Sequence, residues 1–214
     1  MDKVTILLIA ASLAISGCSQ RGIEGDGNII TENRTVSEYS AIKAIGGCQI
    51  KWATGMPALS ITTDSNLLSH IKTEVHGRTL KILSPGILRP TQRITVVLSS
   101  ASLADVRLTG GMSFTASPLS GTDLKLETTG ASDVCFEGAV TNLDVRMTGA
   151  SKLDAKALKA QTATLSLVGA SAADITVAEA LSISMTGACS LTYSGNPKTV
   201  DKSATGACSI RQRP

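Results

Sequence analysis

Six charged residues come closest to a catalytic pattern: Asp105, Arg107, Lys125, Glu127, Asp144 and Arg146. Carboxylates gathered with Arg and Lys in one groove are what cleavage of a polysaccharide requires, one carboxyl giving a proton while another stays an anion. Their spacing has a second reading. If residues about nineteen apart lie one above the next, Arg107, Glu127 and Arg146 form a column of alternating sign. Asp105, Lys125 and Asp144 form its complement. Opposite charges on neighbouring strands favour the stack modestly. Paired in this way, carboxylates tend to stay ionised rather than poised as acids. The expectation is therefore a solvated, ion-paired face on a protein that is not an enzyme. The alternative is a carbohydrate-active enzyme on the same scaffold.

Other reactive side chains give less. Cys189 and Cys208 share one inward column below Ser132, Ser151 and Ser171. Stacked residues lie within the Cα range of a disulfide, so this pair is a candidate bond in an oxidising compartment, and a ladder of small residues otherwise. Cys48 and Cys135 read as buried free thiols. With no C-x-x-C pair, neither a structural zinc nor a thioredoxin-like site is expected. His70 and His76 match no metal-binding spacing and read as surface or turn residues. The inward serines have no histidine in their columns to act as base. Gly25-x-Gly27 lacks a third glycine and a following helix, which argues against a nucleotide. No cofactor and no metal are expected. The net charge of +3 is small and dispersed, which excludes an electrostatic footprint for nucleic acid.

The elements that position these residues come from a repeat. Gly110, Gly130, Gly149, Gly169, Gly187 and Gly206 recur every 18–20 residues, most within a T-G-A-S or T-G-A-C phrase. That period suits one coil of a β-solenoid and is too short for a helical pair. Four residues before the glycines stand Val106, Leu126, Val145, Leu165, Ile183 and Lys202. Four after stand Phe114, Val134, Leu153, Ala173, Leu191 and Ile210. Nearly every even offset is apolar, and offset minus three never is. This is the period of a strand with one buried face. The glycine supplies a tight corner, and the threonines before it form an outward column. Lys202, Arg211, Arg213 and Pro214 break the pattern in the last copy, as a guarded open end would. Residues 42–52 fit the same template around Gly46. The stretch 58–100 alternates less regularly, and no linker interrupts it. The fold expected is all-β, a single-domain β-solenoid of parallel coils over residues 28–214. With aromatics at 2% of the chain, its core is aliphatic.

Ahead of this lies a leader. Lys3 precedes an almost wholly apolar run from Val4 to Ile15, too short to span a bilayer. It ends in Ile15-Ser16-Gly17-Cys18, which resembles a bacterial lipobox. Residues 1–17 read as a signal peptide, Cys18 as the acylated residue, and residues 18–27 as a short polar tether. Several acyl chains, palmitate among them, would hold the chain to a membrane. Ser19, where an Asp would favour retention, points to an outer-membrane lipoprotein by resemblance to Gram-negative sorting. Whether it faces the periplasm or the surface is open.

Gly25-Asp26-Gly27-Asn28-Ile29 resembles the opening of the head GIN domain family of auto-transporter adhesins. Ala41–Gly47 is similar to that family's first glycine-bearing strand. Asp64–Leu68, Lys72–Val75 and Thr79–Ile82 resemble its middle, and the T-G-A-S coils its end. The resemblance implies a right-handed parallel β-helix associated with the envelope, without an assigned activity or functional residue. The expected role is an adhesin-like binding or structural module whose glycan or protein ligand is unspecified. An envelope-maintenance factor without external ligand is a further alternative.

Overall fold

The computed structural model describes residues 22–84 and 86–214. The expected leader over 1–17 and the lipidation residue Cys18 lie outside the described residues. The chain folds as a parallel β-solenoid of about five turns, nearly all strand. Long strands Ser113–Gly130, Asp133–Gly149, Lys152–Gly169 and Ala172–Gly187 each wrap one coil and pair in parallel with the next. The register puts Gly46, Gly110, Gly130, Gly149, Gly169, Gly187 and Gly206 in one column. Even-offset residues such as Leu108, Leu126, Val145, Leu165 and Ile183 are buried, as the alternation requires.

The T-G-A-S phrase is a hydrogen-bonded corner. The Gly130 carbonyl accepts the Ala150 amide of the next coil at 2.9 Å. It also accepts the Ser151 hydroxyl at 3.2 Å, so both lone pairs are used. The same pair of donors recurs from Ala131 and Ser132 to Gly110, and from Ala170 and Ser171 to Gly149. Glycine is obligatory for two reasons. Gly130 has φ +119°, and a Cβ there would sit 2.6 Å from the Gly110 carbonyl oxygen. Threonine takes the outward place before the glycine, and Ser151 is buried behind it.

The amino-terminal part departs from the expected continuous series of coils. The strands Ala41–Gly46 and Gln49–Thr54 form a first coil that stacks directly on Asp105–Gly110 and Ser113–Gly130. Residues between them leave the stack and build a cap. Thr79–Leu83 and Thr95–Ser100 return in parallel onto the first coil. Ala58–Asp64 then pairs antiparallel with Thr95–Ser100, Ile29–Arg34 antiparallel with Ala58–Asp64, and Lys72–His76 antiparallel with Thr79–Leu83. A 3-10 turn, Ser65–His70, buries Leu67 and Leu68 in the end of the core. Arg34 reaches over the same end, donating to the Leu68 carbonyl at 2.9 Å. Parallel strands need a crossover, and reversing the strand direction closes the stack without one.

The cap also takes up most of the expected tether. Ile23–Glu24 pairs with Leu88–Arg89. Asp64 is buried, and its carboxylate accepts the Gly27 amide at 2.8 Å, the Thr91 amide at 2.9 Å and the Thr91 hydroxyl at 2.6 Å. Asn66 accepts the Asp26 amide and donates to the Glu24 carbonyl. A Cβ on Gly25 would collide with the Asp64 carboxylate. The G-D-G-N opening is thus a clasp.

At the other end the strands Thr199–Gly206 and Ser209–Gln212 pair on one edge only among the described residues. Lys202 occupies the inward parity there, with Nζ 5.6 Å from the Tyr193 ring centroid. A charge in that place discourages a further strand from adding.

Candidate functional site

The six charged residues lie together on one flat side of the coils, in the register their spacing implied: Asp105, Lys125 and Asp144 in one column, Arg107, Glu127 and Arg146 in the next. Arg107 bonds Asp105 at 2.9 Å and reaches Glu127 at 4.0 Å; Arg146 sits 3.6 Å from Asp144. The hydrogen bond that Arg107 donates to the Asp105 carboxylate, aided by the charge of that carboxylate, raises the guanidinium above its ordinary value. These groups are exposed, so the pairs stabilise the fold little.

A hollow of about 480 Å³ opens at the edge of this side. Its floor is Leu124 and Leu143, and Lys125, Asp144 and Arg146 stand around it. The sequence reading missed its other wall. Asp123, Asn142 and Thr162 occupy one column, where the coil turns. The Asn142 amide donates to Asp123 at 2.7 Å, and the Thr162 hydroxyl donates to Asn142 at 2.9 Å. Three polar side chains are thereby fixed by one another, with spare donors and acceptors facing solvent. The repeat spacing that puts Asn142 one rung below Asp123 was the available clue.

The remaining candidates are dispersed. Cys189 and Cys208 are free thiols, so the expected bond is not formed. Each thiol takes the serine's place at its corner: Cys189 Sγ lies 3.5 Å from the Gly169 carbonyl, and Cys208 Sγ 3.4 Å from that of Gly187. Both sulfurs therefore point to a backbone oxygen and not to each other. Cys48 is buried, and burial pushes its thiol up to about 11. Cys135, expected to be buried, stands at an outward position between Thr115 and Asp154. Partial burial and the nearby Asp154 and Glu137 charges raise its thiol. Such a thiol is a poor nucleophile at neutral pH. His70 ends the 3-10 turn and His76 precedes Gly77 in a tight turn. Among the described residues no group of three His, Cys, Asp or Glu is placed to hold a metal.

All five aromatic side chains, Tyr39, Trp52, Phe114, Phe136 and Tyr193, are in the core. Trp52 Nε1 donates to Ser100 and the Tyr39 hydroxyl to the Ser99 carbonyl. The surface thus offers no ring on which the apolar face of a sugar could stack.

Coils of this period, closed by a G-D-G-N clasp, define a capped parallel β-solenoid. Residues 38–197 match the family "Putative auto-transporter adhesin, head GIN domain", and the chain belongs to it. A solved "putative adhesin" from Bacteroides fragilis superimposes with a TM-score of 0.72 at 19% identity, over 90% of this chain and 100% of that one. A "putative lipid binding protein" from Parabacteroides distasonis gives 0.58 at 21% identity, over 91% and 100%. A "putative adhesin" from Parabacteroides merdae gives 0.55 at 18%, over 90% and 99%. At these identities the likeness is one of fold. No curated protein matches the chain.

Proposed function

We propose that the chain is a lipid-anchored, non-catalytic, adhesin-like module of the bacterial outer membrane that holds a polar glycan in the hollow beside its charged side. The observation that carries this is the Asp123–Asn142–Thr162 ladder facing Lys125, Asp144 and Arg146. Polar groups already fixed in place lose little freedom when a ligand's hydroxyls arrive. The absence of an exposed aromatic makes recognition polar and ionic. Single-site binding is then weak and salt-sensitive, and many copies on one membrane raise it by avidity. Membership in an adhesin family supports the binding role. The Ile15-Ser16-Gly17-Cys18 phrase supports acylation at Cys18.

A carbohydrate-active enzyme is the second reading, because Asp123 and Asp144 line the same hollow. A screen of the full chain against envelope and host glycans tests both. Binding that falls at least ~10-fold in Asn142→Ala and Arg146→Ala, with unchanged unfolding, supports the module. Turnover of a bound glycan that is lost in Asp144→Asn establishes the enzyme instead. No binding to any glycan refutes both.

A further inference from the structure

We infer that the cap end of the solenoid docks on the bilayer surface through Ile23, Ile30 and Ile87, so that the coils stand away from the membrane and the hollow faces outward; this rests on acylation at Cys18. Of the seven large apolar side chains exposed among the described residues, six precede Ser100 and Val168 alone lies on the regular coils. Three of the six belong to segments that meet at the clasp. Ile23 donates its amide to the Ile87 carbonyl at 2.8 Å, and Ile30 pairs with Thr63 beside Asp64. They are 37%, 47% and 41% exposed, more than a soluble surface needs to leave in one neighbourhood.

The length of the intervening chain supplies the occupant. Gly22 already sits at the clasp: a Cβ added to it would run into Ile87 and Arg89, and the next residue bonds the Ile87 carbonyl. Three residues separate it from Cys18, so the four steps between them reach at most about 14 Å. Had residues 18–27 been free, the domain could drift or lie on its side. With the clasp closed, the acyl chains hold the cap within a headgroup layer's depth of the bilayer. There, half-exposed isoleucines are accommodated at the boundary between headgroups and acyl chains. The ion pair Arg89–Glu24 offsets the charges flanking Ile23 and Leu88, so the docking rests on apolar contact and not on anionic lipid. The last coil lies about 30 Å further along the axis, six rungs below Gly46.

The test uses the full acylated chain in vesicles of phosphatidylethanolamine and phosphatidylglycerol. Cys135→Ser and Cys208→Ser remove competing thiols, and a fluorophore is placed at Ile87→Cys or at Ser209→Cys on the last coil. Ile30→Cys serves as a second proximal site should the first disturb the clasp. Quenching by a headgroup-borne nitroxide should be at least ~3-fold stronger at the proximal sites than at Ser209. Equal quenching at both ends means that the coils lie along the membrane, and no quenching at either means that the domain stands off; each overturns the docking. Intact mass separates the two layers of the argument. An acylated chain with the wrong quenching pattern refutes the docking alone. A chain without acyl mass refutes the anchor and the docking together.

Discussion

The regular coils from Asp105 to Gln212 and the cap that the other strands before Ser100 build on the first coil keep their strands together by different means. In the coils the corners from Gly110 to Gly169 repeat one local solution, so each rung there depends on its two neighbours. In the cap each contact is made once, by a particular pair such as Asp64 and Thr91 or Arg34 and Leu68. Charge shows the same contrast. Along the coils the columns alternate in sign. At the cap Lys81, Lys43 and Arg107 follow one another with like charge, relieved sideways by Glu74 at 3.1 Å and Asp105 at 2.9 Å. A periodic structure spreads its constraints evenly, and a terminal one concentrates them.

Glycine substitution should break the two regions very unequally. Gly130→Ala meets both a positive φ and a backbone oxygen, and we expect a loss of about 3–5 kcal/mol in urea unfolding. Gly77→Ala, in the cap hairpin at φ +61° with nothing within 4 Å of its Cβ, should lose only about 1–2 kcal/mol. Equal losses would mean that close approach at the corners does not matter.

Acid should separate the regions next. The Thr91 hydroxyl, more than offsetting desolvation and helped by the Thr91 and Gly27 amides, holds the Asp64 carboxyl below its ordinary value. A depressed carboxyl stabilises the fold above its unfolded value, near ~3.9, and that contribution is lost as pH falls through the lower folded value. Below about pH 4 the Gly27 and Thr91 amides should therefore exchange faster, beyond the intrinsic pH effect, while Ala150 and Ala170 amides stay protected. Asp64→Asn should leave the clasp open at neutral pH and abolish this difference. Uniform loss of protection along the chain would contradict a separate cap.

The smallest effect should come from the charged columns. Glu127→Lys places a cation between Arg107 and Arg146 and extends the like-charged run that begins at Lys81 and Lys43, for a cost of about 0.5–1 kcal/mol that fades at high salt. A loss that salt does not relieve would show that Glu127 acts through something other than charge.

The coils were legible in the sequence because their information is periodic. Apolar parity, the glycine column and the complementary signs at Asp105, Lys125 and Asp144 each state the register independently. The cap was not, because antiparallel pairing between Ile29–Arg34 and Ala58–Asp64 leaves the same alternation as parallel pairing would. Direction of a strand is invisible to a period of two. Of the candidate site, the charges were readable and the polar ladder was partly so. Asp123, Asn142 and Thr162 are repeat-equivalent, but a hollow depends on where the turn bulges, and the register shifts between Ala116 and Leu119 are not written in any one residue. Whether Cys189 and Cys208 bond or continue the ladder of small residues was not legible, because adjacency in a column says nothing about which acceptor a side chain faces.

The first coil has neighbours on both edges, and all of them come later in the chain. Ala41–Gly46 is flanked by Thr79–Leu83 and Asp105–Gly110. During vectorial synthesis or export it emerges with no partner on either side, and it must wait until Gly110 has followed. The terminal strands can then add in sequence, each on a finished template. Nucleation is thus delayed to the middle of the polypeptide, and a nascent chain stopped before that point has exposed β-edges and nothing to seal them.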